Sequence, residues 1–416
     1  MRFCYKVTLI SLLIFVSRSA SALDMGMPIA CEYGKDCFIS SLFSYEENIE
    51  EGLEKIISDY KCGQLTQKGE KSTRFALRNM QQIQNGEGIN VIAVDKGTVE
   101  AIHDGEKDMG ASKAAQKMQN IANCGNGVLI RHGRGFITQY CHLQQGSVSV
   151  EAGQEVKKGD VIGKVGSSGF VSYPHLEFIV KRDDQPIDPF TGEGITSCQQ
   201  KKDFISLWDF KTDALLSYVP TLLINASFTG NIPNAEGVQN SRFISDTLPN
   251  DENRLVFWVN LMGLRKDDIL QISITSPSGD TIALREKTFS RYEPLYFHYV
   301  GKRRTSAAWE RGTYIGNISL SRLKESENDK TEKAKNNQSK KETLGRNTKK
   351  IRAAAQKTKN KSAEMPEELG QADEKNEASD SIKASEANEA TNSDTQEKTS
   401  EDRYLVIYSH VELIVE

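Results

Sequence analysis

Along this 416-residue chain the apolar positions recur with two different spacings and, over one long stretch, with none. Glu46 to Tyr60 carries Ile49, Leu53, Ile56 and Ile57 on one side at helical intervals, which predicts a helix. From Cys62 to Phe190 the apolar residues fall into short runs separated by glycines, the pattern of β-strands joined by tight turns. Ala111 to Ala122 interrupts that pattern as a predicted helix. A second β-rich block runs from about Thr221 to Leu320. Its strand candidates are Leu255–Leu261, Ile269–Thr275, Leu295–Val300 and Tyr314–Leu320, with a turn at Pro277-Ser278-Gly279-Asp280. This spacing predicts a β-sandwich of immunoglobulin-like architecture.

Lys324 to Asp402 has no aromatic residue and very few large apolar ones, so it buries too little surface to order itself. It is also blocky: Lys324–Lys361 carries 13 basic and 5 acidic residues, and Glu364–Asp402 carries 3 basic and 13 acidic. It reads as a solvated linker whose halves attract, or as a segment whose basic half touches anionic wall polymers. After it, Tyr404 to Glu416 is strongly β-forming. Left unpaired, so apolar a stretch is an aggregation hazard. It is expected to be the final strand of the sandwich, with the charged stretch as a disordered insertion, because loop-closure entropy grows only logarithmically with length.

At the other end, a basic start (Arg2, Lys6), an apolar run from Val7 to Val16 and Ala20-Ser21-Ala22 form the layout of a cleavable secretory signal. No later segment has about 18 uninterrupted apolar residues, so no transmembrane segment is expected in the mature chain. These features divide the chain into a signal at 1–22, an extension at 23–61, a β domain at 62–190 and a linker at 191–220. The sandwich takes 221–322 plus 403–416, and the insertion 323–402. A net charge of −4 gives no electrostatic reason to expect nucleic acid as a partner. Without Cys4, six cysteines remain, an even number that in an exported chain suggests three disulfides. Cys124 and Cys141 bracket two β runs about a Gly133-Arg134-Gly135 turn. Folding that hairpin brings the two cysteines opposite each other, within disulfide reach.

The candidate chemistry lies in Gln139-Tyr140-Cys141-His142-Leu143 and Pro174-His175-Leu176-Glu177-Phe178, with the glycine-rich run Gly153–Gly169 and Asp188-Pro189-Phe190. On a strand, residues two apart share a face, so His175 and Glu177 look into one groove and Leu176 away from it. His132, His103, His298 and His410 have no ligand spacing. In this order the motifs resemble the lysostaphin-type (LytM-like) zinc endopeptidases that cut peptidoglycan cross-links. The resemblance covers Cys62 to Phe190. It implies an antiparallel β-sheet peptidase-like fold, so the whole chain is expected to be mainly β. The glycine-rich run is also compatible with a biotinyl or lipoyl carrier barrel, but neither Lys157 nor Lys164 has a carrier's flanking signature.

In that family the Pro-His-Leu-Glu position reads His-Leu-His, and its second histidine binds zinc; here it is Glu177. The other two ligands come from a His-x-Gly-x-Asp stretch. The matching residues here, Gly69-Glu70-Lys71-Ser72-Thr73-Arg74-Phe75, put Glu70 at the histidine and Arg74 at the aspartate. The resemblance thus implies degenerate metal-ligand positions at Glu70, Arg74 and Glu177. His142 and His175 are the family histidines outside the metal shell, which assist proton transfer in active members. A guanidinium has no lone pair to give a metal, and a catalytic zinc needs three protein donors plus an open position. Arg74 is therefore expected to contact Glu177, Glu70 or both, with no cofactor bound. The expected function is a catalytically inactive LytM-like protein of the bacterial cell envelope, periplasmic or secreted. Its partner would be peptidoglycan or a peptidoglycan hydrolase. Two alternatives are an active zinc metalloendopeptidase with a carboxylate-rich shell, and an adhesin-like or scaffolding module acting through the sandwich.

Overall fold

The computed structural model describes residues 23–47, 56–78, 80–84, 88–108, 124–169, 171, 173–194, 205–324 and 403–416. The expected signal, the helix expected at 111–122 and nearly all of the charged insertion lie outside the described residues. The first half contains β1 (Cys37–Ser41), β2 (Tyr45–Glu47), β3 (Ile56–Ser58), β4 (Thr73–Leu77), α1 (Gln81–Gln84), β5 (Asn90–Ile92) and β6 (Gly97–His103). It continues with β7 (Asn126–Arg131), β8 (Phe136–Leu143), β9 (Glu155–Val156), β10 (Val161–Lys164), β11 (His175–Arg182) and β12 (Gln185–Ile187). The principal sheet runs β1-β4-β11-β8-β7-β6-β9, with β12 paired to β11.

Strand β11 shows why these residues make a sheet with two different faces. Leu176, Phe178 and Val180 are buried, while Glu177, Ile179 and Lys181 alternate with them on the half-exposed side. Phe178 packs against Tyr140 at 5.3 Å and Trp208 at 5.7 Å between ring centroids. Trp208 also meets Phe75 and Phe190. The segment after the sheet is therefore part of this core, and its helix α2 (Phe210–Leu215) is capped by the Asp209 side chain. The extension is built in as well. Met25 and Ile29 are buried, Met25 exchanges backbone hydrogen bonds with Leu207 and Asp209, and β1 pairs with β4.

The helix expected over Glu46–Tyr60 is not what forms at its described ends. Tyr45 to Glu47 pairs antiparallel with Ile56 to Ser58; Ile49 and Leu53 lie outside the described residues. Tertiary anchoring overrides the helical spacing here. Tyr45 is buried, and its hydroxyl donates to Asp188, whose other oxygen accepts from the Phe190 amide at 2.9 Å. Burial pushes the Asp188 carboxyl up to about 7 against the lowering pull of the Tyr45 hydrogen bond.

The second block contains β13 (Leu222–Thr229), α3 (Ala235–Gln239), β14 (Thr247–Leu248), β15 (Arg254–Leu264), β16 (Ile269–Thr275) and β17 (Thr281–Thr288). Strands β18 (Glu293–Arg303), β19 (Gly312–Leu323) and β20 (Arg403–Val415) complete it. They form a three-stranded sheet, β13-β15-β18, and a five-stranded sheet, β14-β20-β19-β16-β17. The sheets meet at Phe257, which touches Phe228 at 5.0 Å and lies over Gly316 of the other sheet. A Cβ at Gly316 would stand 2.5 Å from the Phe257 ring, so only glycine permits this approach. The described residues up to 319 and from 407 to 416 belong to one compact unit, and residues 320–324 and 403–406 to a second.

The expected closing strand is present. β20 runs parallel to β14, with Thr247 opposite Ile414 and Leu248 opposite Val415. Leu413 and Val415 are buried, and the Asn250 amide donates to the Glu416 carbonyl at 2.9 Å. Leu413→Ala is expected to cost about 2–5 kcal/mol of stability, and deletion of Tyr404–Glu416 to cost more. Urea unfolding followed by Trp258 fluorescence measures both. An unchanged midpoint in the deletion variant would show that β20 does not hold the sandwich together.

Candidate functional site

The antiparallel register of β4 and β11 sets Arg74 directly opposite Glu177, and His175 opposite Ala76. Directly opposed side chains on one face are close enough to interact, so the pairing of Arg74 with Glu177 follows from the strand register. Arg74 Nη2 lies 3.4 Å from Glu177 Oε1, and Arg74 Nε lies 2.9 Å from Glu70 Oε2. The Nε contact is short but poorly aligned for a hydrogen bond, so it acts mainly through charge. The contact expected for Arg74 is therefore made with both carboxylates.

Glu70 is the most enclosed of the three charged groups, its side chain 2% exposed. It sits at the end of a turn closed by its own amide on the Gln67 carbonyl. Its carboxylate accepts from the Ser72 hydroxyl, the Ser72 amide at 3.2 Å, Gln67 Nε2 at 3.1 Å and Ser41 Oγ at 3.4 Å. The Ser72 hydroxyl also approaches Glu177 Oε1 at 3.2 Å, but its one proton goes to Glu70. Every oxygen of Glu70 is thus satisfied within the chain.

His142 reaches the same place by a backbone irregularity. Asn126 faces Leu143 while Gly127 faces Cys141, which leaves His142 as an extra residue on β8. Such a bulge bends the strand and re-aims its side chain. His142 adopts φ 65°, a left-handed conformation costly for a residue with a Cβ. The Cys124–Cys141 disulfide, expected from the hairpin, is formed beside it with an S–S distance of 2.09 Å. The His142 amide donates to the Cys124 carbonyl at 2.8 Å. Its Nδ1 faces the Ser168 carbonyl at 2.9 Å, and its Nε2 stands 3.3 Å from Glu177 Oε2.

His175 lies edge-on to His142, with ring centroids 4.8 Å apart. Its Nδ1 is 2.7 Å from the Tyr173 carbonyl, so Nδ1 carries the proton and Nε2 the lone pair; that Nε2 has no hydrogen-bond partner within the chain. Burial, then the charges of His142 and Arg74, push His175 down to about 3, so it is neutral at pH 7. Burial raises the Glu177 carboxyl, but the His142 hydrogen bond and charge, followed by Arg74, outweigh it and hold the group at about 2. His132, by contrast, is an ordinary core histidine held by the Lys96 carbonyl and the Thr138 hydroxyl.

The five expected positions, Glu70, Arg74, His142, His175 and Glu177, therefore converge on one groove. Ser72, Ser168 and Tyr173 complete it and carried no signal in the sequence, because two of them act through backbone carbonyls. Among the described residues, no group of three or more His, Cys, Asp or Glu side chains is arranged to hold a metal ion. The donor chemistry gives the reason: a guanidinium stands between the two carboxylates, and both are engaged by it. This set does not fit a zinc ion.

Part of the chain is similar to known proteins. Residues 79–189 match peptidase family M23. This part of the chain is similar to M23 domains. The match starts beyond Arg74, so the assignment of Glu70 and Arg74 to ligand positions rests on the motif alone. Cell division protein DipM of Caulobacter vibrioides is 34% identical over 112 residues, which is 26% of this chain and 17% of that protein. Peptidoglycan DD-endopeptidase ShyC of Vibrio cholerae is 34% identical over 106 residues, 24% of each chain. The M23-type region thus spans about a quarter or less of these relatives. Among solved structures, the catalytic domain of lysostaphin from Staphylococcus simulans is 20% identical, covering 36% of this chain and 85% of that one, with a TM-score of 0.21.

Two outcomes follow from this charge arrangement. Removing one partner of a buried pair costs about 3–5 kcal/mol. The Arg74 side chain is 29% exposed, so Arg74→Ala should cost less, about 1–3 kcal/mol, read as a shift in urea midpoint. The second concerns pH. A carboxyl held below its ordinary value contributes stability that is complete above about 4.5 and is lost as pH falls toward about 2. Glu177→Gln should therefore flatten the acid limb of the stability profile between pH 4.5 and 2. Parallel profiles for the two proteins would contradict the assignment.

Proposed function

We propose that this chain is a non-catalytic M23-type protein of the bacterial envelope. Its groove holds peptide portions of peptidoglycan, on its own account or in the service of a wall hydrolase. The observation that carries the reading is the position of Arg74, 2.9 Å from Glu70 and 3.4 Å from Glu177. Where the resemblance calls for three electron-pair donors around a dication, this chain supplies a fixed cation that two carboxylates already neutralise. Without a Lewis acid, a bound water stays far from ionising at neutral pH and the carbonyl under attack is not polarised. Two histidines, one of them neutral and without a proton on its free nitrogen, do not restore either effect.

The rest of the chemistry is compatible with holding rather than cutting. The sheet, the bulge at His142 and the orientation of His175 leave an open groove in which a peptide strand can lie. Relatives named as a cell division protein and a peptidoglycan DD-endopeptidase support wall peptide as the ligand class. The Cys31–Cys37 and Cys124–Cys141 disulfides support an oxidising compartment, in keeping with the expected secretory signal. Periplasmic or secreted placement follows on this reading.

The test compares the parent with Glu70→His/Arg74→Asp/Glu177→His. The parent should sediment with purified sacculi, release no muropeptides and respond to neither zinc nor chelator. The triple variant should bind zinc stoichiometrically, measured by metal analysis. Chelator-sensitive release of muropeptides by the parent would overturn the reading and favour an active metallopeptidase with a carboxylate shell.

A further inference from the structure

The groove in front of Arg74 is not bounded by the M23 sheet alone. A cavity of about 340 Å³ lies between that sheet and the β-sandwich. Phe38 and Arg74 line one side, while Met262, Tyr292 and Leu295 line the other. Its size falls at the lower end of small-ligand pockets, roughly 300–1,000 Å³. The two walls are tied together around it. The Arg78 guanidinium donates to the Leu223 carbonyl at 2.8 Å and also to that of Ile224. Asn225 Nδ2 returns a hydrogen bond to the Arg78 carbonyl at 2.9 Å, and the Tyr292 hydroxyl donates to the Gln64 carbonyl at 2.9 Å.

The cavity has one polar and one apolar demand. Arg74 uses Nε toward Glu70 and Nη2 toward Glu177, while Nη1 pairs with neither carboxylate. A guanidinium carries five N–H donors, so several remain for a ligand. With two carboxylates already beside one cation, a further anion is disfavoured, and a neutral carbonyl oxygen suits the spare donors better. Opposite it, Leu295 is 46% exposed at the cavity wall, an apolar surface that a ligand side chain would cover.

We propose that this cavity is a two-walled site for a short stretch of peptide, in which Arg74 takes a neutral backbone carbonyl and the sandwich, through Met262 and Leu295, takes an apolar side chain. The proposal rests on the peptidoglycan-holding reading and adds that the second domain supplies half of the site. Arg74 then occupies the role a metal has in an active relative, gripping the carbonyl without activating anything against it.

Calorimetric titration of the full mature chain with a soluble disaccharide-peptide muropeptide tests this, beside sedimentation with intact sacculi. Leu295→Asp changes a half-exposed residue and leaves the fold in place, and Arg74→Lys keeps the charge but removes the spare fork. Each should weaken muropeptide binding by about tenfold or more, with Leu295→Asp melting like the parent. Muropeptide binding unchanged in Leu295→Asp overturns the two-walled site and leaves the peptidoglycan reading standing. Binding to sacculi but not to the muropeptide does the same. Binding to neither overturns both.

Discussion

The Arg74–Glu177 pair is the contact on which the groove depends. The register of two neighbouring strands sets the two residues directly opposite each other, so the side chains need little reach to meet. A one-residue slip would turn either Phe75 or the pair Leu176 and Phe178 out of the core, and all three are fully buried. The hydrophobic face therefore fixes the electrostatic one. From Glu177 the order spreads outward: its second oxygen faces His142, whose ring is held by the Ser168 carbonyl and whose backbone is held by the Cys124 carbonyl. From Arg74 it spreads to Glu70 and so to Ser72, Gln67 and Ser41. One guanidinium organises residues from four separate parts of the chain.

Much of this was legible in the residue order. The alternation in His-Leu-Glu-Phe told which side chains share a face, and glycines and turn residues marked the strands of both sheets. The β16 boundaries coincide with the sequence expectation, Ile269–Thr275, because both ends are set by turn chemistry. The final strand was legible for a different reason: an apolar β segment needs a partner. The Cys124–Cys141 bond was legible because a hairpin reduces a three-dimensional question to counting residues from a turn.

What was not legible depends on contacts distant in sequence. Ile49, Leu53 and Ile56 have helical spacing, yet Tyr45 and Ser58 are fixed as paired strands by the core around Asp188. Local periodicity contains no information about that core. The bulge at His142 was likewise invisible, since it arises from a one-residue mismatch between β7 and β8. Nor could the sequence indicate that Tyr292 and Leu295 would stand across a cavity from Arg74. Residue type marks the groove's own chemistry, but the wall opposite is ordinary apolar surface until the fold positions it.

The route of the chain through the five-stranded sheet has its own consequence. Strands β19 and β20 are neighbours, yet residues 324–402 separate them in sequence. Doubling such a connection costs only about 0.6 kcal/mol in closure entropy, so the sheet is nearly indifferent to the connection's length but not to its continuity, because a cut turns an intramolecular pairing into an association of two chains. A protease that nicks this connection once would leave the last strand attached only through its pairing with β14 and β19 and the burial of Leu413 and Val415. Lengthening the connection and cutting it are thus different events for this architecture: the first leaves the last strand tethered, and the second makes its place in the sheet a matter of binding.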